Sequence, residues 1–198
     1  NIPVPTSYMA IRSKFDFVGG YEEDKKGGLL HVADHHVSPG KKQWTWGNGD
    51  FGVAWDRNLT DEDGPYIELM TGVYTDNQPD FTWLQPYEEK SWVQYFMPYA
   101  EVGYVKNATK DLILNVDVQG NNTKLILYAT GKQPKVRVLV KDVSGKILFD
   151  NTVNVSPAEP FCVEFPSNGV LAENMITDIY GQDGKLLLTY KADKEEIK

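Results

Sequence analysis

The sequence predicts an all-β fold in two modules, on three observations. Short runs of β-branched and aromatic residues recur along the chain, separated by Gly, Pro, Asn and Asp. Apolar residues at helical spacing are nearly absent. All five tryptophans precede Lys106, so the chain changes character about halfway along.

The first module is read as residues 1–107. Its expected strands are Ser7–Ile11, Phe15–Tyr21, Gly28–His35, Lys42–Gly47, Tyr66–Tyr74 and Ser91–Tyr99. Turns are expected at Pro39-Gly40 and at Gly47-Asn48-Gly49. Between Asn48 and Pro65 the sequence reads as a long irregular link holding Trp55, Asp56, Arg57 and the acidic run Asp61–Asp63. Links of that length in a compact domain usually carry function. The opening, from Asn1 to Met9, reads as a loop entering a strand, as in an internal segment of a longer protein.

The second module, 108–192, alternates cleanly over Leu112–Val118, Lys124–Tyr128, Lys135–Val140, Lys146–Phe149, Phe161–Phe165, Met175–Tyr180 and Lys185–Tyr190. Turn signals at 119–122, 142–145 and 182–184 separate these runs. Seven short strands at this spacing predict an immunoglobulin-like β-sandwich. Pro157, Pro160 and Pro166 suit strand edges. A charged tail, 193–198, closes the chain.

The 198 residues carry a net charge of −8, which repels phosphate backbones and anionic lipid. Nucleic acid and membrane are therefore not expected partners, and no apolar run reaches the ~18 residues of a membrane span. The single cysteine, Cys162, lies in the apolar run 161–165 and is expected to be a small buried hydrophobe. The compartment stays open, with export ranked ahead of the cytosol. Three Asn-x-Thr sequences, at Asn58, Asn107 and Asn121, are short enough to occur by chance.

The candidate chemistry lies between His31 and Gln85. All three histidines fall within His31–His36, and on a strand His31 and His35 would share a face, with Asp34 opposite. Histidine and aspartate are ligand types, but that geometry supplies no second pair. No metal site is assigned, and His35 and His36 are expected as polar ligand contacts. Trp44 and Trp46 alternate onto one strand face, as core or as a platform for the apolar face of a sugar ring. Rim groups for sugar hydroxyls are expected from Arg57 and from Asp76, Asn77 and Gln78. Glu68, among Tyr66, Ile67, Leu69 and Met70, is either a general base or the partner of Arg57 or Lys42 in an ion pair.

Four motifs together resemble one family. They are Ile2-Pro-Val-Pro-Thr-Ser-Tyr-Met9, the segment from His31 to Gly47, Trp55–Met70, and Tyr74-Thr-Asp-Asn-Gln-Pro-Asp80. They resemble the C-terminal part of the DUF5107 domain, often found in bacterial proteins that carry tetratricopeptide repeats. That family looks like a relative of the galactose mutarotase-like β-supersandwich. The resemblance therefore implies a partial supersandwich followed by the immunoglobulin-like sandwich. More distantly, Tyr66-Ile-Glu-Leu69 with Leu84-Gln-Pro-Tyr-Glu-Glu89 is similar to the end of aldose epimerases, which would put Glu68 at the catalytic-base position. Tyr87 stands where those enzymes have glycine, and their acid histidine lies further upstream than His35 or His36 can.

Two functions compete on this reading. The first is a carbohydrate-binding or carbohydrate-processing module of a larger bacterial protein, not catalytic alone. The second is a non-catalytic scaffold of two β modules. Carbohydrate and the remainder of the parent chain are the expected partners, and no cofactor is expected.

Overall fold

The computed structural model describes residues 2–77 and 79–193. The first half contains β1 (Thr6–Met9), β2 (Phe17–Glu22), β3 (Gly27–Val32), β4 (Lys42–Thr45), helix α1 (Asp50–Leu59), β5 (Ile67–Met70) and β6 (Tyr95–Ala100). The second contains β7 (Asn107–Ala108), β8 (Leu112–Gln119), β9 (Asn122–Ala129), β10 (Gln133–Asp142), β11 (Ile147–Val155), β12 (Phe161–Pro166), β13 (Met175–Tyr180) and β14 (Leu186–Lys191). The fold is all-β, in four sheets of order β1–β4–β5, β2–β3–β6, β12–β9–β8–β7 and β11–β10–β13–β14. Among the described residues no helix is long and apolar enough to cross a membrane. Two compact units form, one from the chain up to Gly20 with Leu30–Phe96, the other from Tyr21–Leu29 with the chain from Met97 on.

In the second unit the two four-stranded sheets form a sandwich. The alternation of β8, β9 and β10 places Leu114, Leu125, Leu127, Val136, Val138 and Val140 inside at 0–1 % exposure. Removing one such leucine side chain from water stabilises the fold by about 2 kcal/mol. Phe149 of β11 stacks on Phe165 of β12 at 5.0 Å, joining one sheet to the other. Gln119 pairs with Asn122, so a two-residue loop closes the β8–β9 hairpin, with Gly120 at φ +61°. β12 ends at Pro166 on the sheet edge, where no ladder donor is needed. Among the described residues of this unit the buried carboxylate is Asp178, which accepts from Lys141 Nζ at 2.8 Å and Thr189 Oγ1 at 2.6 Å. Its burial raises its proton affinity, but these partners outweigh that and hold the carboxyl below the usual carboxylate range. Cys162 is exposed, contrary to the expectation of a buried thiol. Phe161, Val163 and Phe165 set the phase of β12, and the intervening Cys162 and Glu164 face out.

The first unit departs from the sequence reading at several strand ends, where Tyr66–Tyr74 shortens to β5 and Ser91–Tyr99 to β6, and at two further places that shape the candidate sites. The expected link from Asn48 to Pro65 contains α1. Phe51 and Trp55, four residues apart, turn one helix face onto Trp46, with Trp55 flat against it at 4.6 Å and Phe51 at 5.9 Å. Gly52 lowers the intrinsic helix propensity, yet a Cβ there would lie 2.1 Å from the Gly47 carbonyl oxygen. Close backbone approach therefore wins over propensity. The second departure is β3, which stops at Val32 rather than His35. The Asp34 carbonyl accepts the N–H groups of Val37 and Ser38, and the Asp16 carboxylate takes the N–H of His35, so a turn replaces the last strand residues. His31 and His35 therefore do not share a strand face.

Candidate functional site

The register of the β1–β4–β5 sheet builds the first candidate site. Ser7 lies opposite Trp44, and Trp44 opposite Glu68. One row further along, Met9 lies opposite Lys42, and Lys42 opposite Met70. Directly opposed residues project from the same face. The first row thus sets a hydroxyl, an indole and a carboxylate side by side, and the second adds an ammonium flanked by thioethers. Ser7, Trp44, Glu68, Lys42, Met70 and Asn77 border an open groove of ≈ 690 Å³. That volume is in the range of small-ligand sites. Lys42 Nζ donates to Asn77 Oδ1 at 3.0 Å, which ties the 71–77 loop to the groove wall.

Glu68 is half-buried, and among the described residues it makes no ion pair. The expected alternatives, pairing to Arg57 or Lys42, are therefore not formed. Met70, two residues on in β5, projects from the same face as Glu68, and Tyr66, just before β5, gives its N–H to Asp56 Oδ1 at 3.0 Å. A carboxylate, an amide, a hydroxyl and an ammonium around one indole can accept from and donate to the hydroxyls of a polar ring lying on the indole.

The remaining sequence-derived candidates fall elsewhere. Trp46 lies just beyond β4, meets Trp44 edge-on at 4.4 Å, and is enclosed by Trp55 and Phe51. Among the described residues its buried Nε1 has no hydrogen-bond partner. Arg57 is exposed in the last turn of α1, where a cation complements the helix dipole. Asp76 accepts a hydrogen bond from Thr82 Oγ1. Gln78 lies outside the described residues.

His35 and His36 come together in the turn after β3, with ring centroids 3.9 Å apart. Asp16 Oδ1 accepts both the backbone N–H of His35, at 2.9 Å, and its ring Nδ1–H, at 2.7 Å. Asp34 Oδ1 accepts the backbone N–H of His36 at 2.8 Å and faces its Nδ1 at 3.1 Å. These contacts hold the Asp34 carboxyl below the usual carboxylate range. His31 is apart from both. It is fully buried, stacks on Phe96 at 4.6 Å, and places Nε2 3.1 Å from Gln94 Oε1. Its proton therefore sits on Nε2, and burial lowers its pKa below 6.5. Lys41 is also fully buried, with Nζ 3.4 Å from the Ser38 carbonyl, and burial lowers its pKa below 10.5.

Sequence reasoning missed Ser7 and Lys42 as groove residues and Asp16 as the partner of His35. Ser7 could be found only from the β1–β4 register. Asp16 reaches His35 because the Ala33 N–H bonds to the Asp16 carbonyl at 2.7 Å, a pairing with no short-range signal.

Comparison with known families places the two halves separately. Residues 1–99 match the family described as a domain of unknown function, DUF5107. Residues 107–190 match the second domain of YphG-like proteins. No solved structure matches the chain.

Proposed function

The chain belongs to the DUF5107 family, and on that premise we propose that the groove on the β1–β4–β5 sheet binds carbohydrate. One observation carries this reading: Trp44 and Glu68 border the same open groove, with Lys42, Asn77 and Ser7 beside them. A pyranose offers an apolar C–H face to the indole and a ring of hydroxyls to the polar rim. In a mutarotase-like arrangement Glu68 is the group that takes the proton of an anomeric hydroxyl.

The test is saturation-transfer NMR and Trp fluorescence with a panel of neutral and acidic hexoses and their short oligomers. Saturable binding is expected, weakened about tenfold in Trp44→Ala, which is ~1.4 kcal/mol. In the full-length parent, acceleration of anomer exchange, followed by NMR, is expected to be lost in Glu68→Gln while binding persists. Absence of transfer from every sugar in the panel overturns the reading.

A second reading, an interaction scaffold of two β modules, has its own observation. Phe81, Trp83, Leu84, Tyr87 and Val93 are each more than half exposed, and runs of exposed apolar residues mark contact surfaces.

A further inference from the structure

The turn that follows β3 holds a second constellation, separate from the groove residues. Asp34, His35 and His36 each offer one ligand-type atom, and these three atoms lie within 4.8 Å of one another. From this geometry we infer that the turn is a binding site for a divalent transition-metal ion, with His35, His36 and Asp34 as ligands and Asp16 as the group that orients His35.

The argument starts from the histidine tautomers. Asp16 holds His35 at two points, backbone and Nδ1. The ring proton is thereby fixed on Nδ1, and Nε2 keeps its lone pair for an ion. A carboxylate behind a ligating imidazole is the usual outer partner of such sites: it sets ring orientation and raises basicity. His35 is the better-anchored ligand, with its side chain 25 % exposed. His36 and Asp34 are the adjustable ones, at 77 % and 60 %.

Ligands sharing one ion at about 2.1 Å lie roughly 3.5 Å apart in a tetrahedral shell. A 4.8 Å span is wider than that shell, so the exposed side chains of His36 and Asp34 must rotate to converge with His35 Nε2 on one ion. His36 Nδ1 and Asp34 Oδ1 are already 3.1 Å apart, a spacing at which both can face one ion. On binding, their mutual hydrogen bond is given up, and the His36 proton moves to the ring nitrogen away from the ion.

Two imidazoles and one carboxylate favour Zn²⁺, Ni²⁺ or Cu²⁺ over Mg²⁺ or Ca²⁺, which prefer all-oxygen shells. Three protein ligands leave a coordination position for water. The buried Lys41 ammonium acts electrostatically on both Asp16 and Asp34. Two carboxylates against one ammonium still leave the site net anionic while the imidazoles are neutral.

The experiment titrates Co²⁺ into chelator-treated full chain, following visible absorption, with Zn²⁺ as competitor and histidine ring ¹⁵N resonances as a second readout. One equivalent is expected, with shifts confined to His35 and His36. Affinity should fall at least tenfold in His35→Ala and in His36→Ala. Asp16→Asn should keep the stoichiometry and lose about tenfold in affinity. Circular dichroism of His36→Ala, an exposed position, shows that loss of binding is not loss of fold. Unmoved histidine resonances on adding Zn²⁺, or undiminished binding in His36→Ala, overturns the site. Undiminished binding in Asp16→Asn overturns the orienting role.

Discussion

The two units solve the burial problem in opposite ways. The β7–β14 sandwich is held by side chains, with complete leucines and valines of β8, β9 and β10 sealed between two sheets. Its glycines at 120, 131, 145, 169 and 184 have no atom within 4 Å of an added Cβ. In the first unit backbone meets backbone instead. A Cβ on Gly40 would lie 1.9 Å from the Tyr74 carbonyl oxygen, and Gly40 N–H donates to the Gly72 carbonyl at 3.0 Å. Its sealed interior includes His31, Ser38 and Lys41 beside a few apolar residues. The difference teaches where chemistry can reside. In the side-chain core the buried carboxylate of Asp178 is held by an ammonium and a hydroxyl. A scaffold of touching loops leaves indoles, carboxylates and imidazoles half-exposed at its rims, where a ligand can reach them.

The comparison breaks first if the sandwich does not depend on its core. Leu127→Ala should cost the second unit about 3 kcal/mol, as a shift in denaturation midpoint read by hydrogen exchange of β8 and β9 amides. All tryptophans lie in the first half, so Trp fluorescence reports the first unit separately. An equal shift in both signals would show that the two units unfold as one.

Gly40→Ala tests the other side. The added methyl must displace the Tyr74 carbonyl, and overpacking of this kind costs roughly 2 kcal/mol. The loss should appear in Trp fluorescence, with β8 and β9 exchange unchanged. Gly131→Ala, with open space around its Cβ, should leave both signals within ~0.5 kcal/mol of the parent. A Gly40→Ala protein as stable as the parent would refute the backbone-contact account.

The smallest effect sharpens the contrast by pH. Burial lowers the His31 pKa in the fold, so below pH 6.5 the unfolded chain binds more protons than the folded one. The stability this residue contributes is present above pH 6.5 and is lost as pH falls from there through its folded pKa. Fluorescence-detected midpoints of the first unit should fall between pH 7.5 and 5.5, with a shallower fall in His31→Gln. An identical slope in the variant would remove His31 as the cause.

Much of this was legible in the residues alone, and for a physical reason. Strand faces repeat with period two, so alternation in 112–118, 124–128, 135–140 and 175–180 located β8, β9, β10 and β13 to within two residues at either end. The same period put Trp44 on a strand with an accessible face and singled out Glu68 among apolar neighbours. The all-β class and the weight of candidate chemistry before Lys106 follow from local pattern and composition, and the family of the first half from the resemblance its motifs carry. Everything that depends on which distant segments meet was decided by the tertiary structure. Trp46 and Trp55 drew 50–59 into a helix against the pull of Gly52. Asp16 captured His35 and turned the strand end into a histidine pair. The β1–β4–β5 register, which no single segment encodes, placed Ser7, Trp44 and Glu68 in one row. Local propensities are worth tenths of a kcal/mol per residue, whereas stacked indoles and captured N–H groups each contribute about one or more, so at these points long-range contact outweighed local preference.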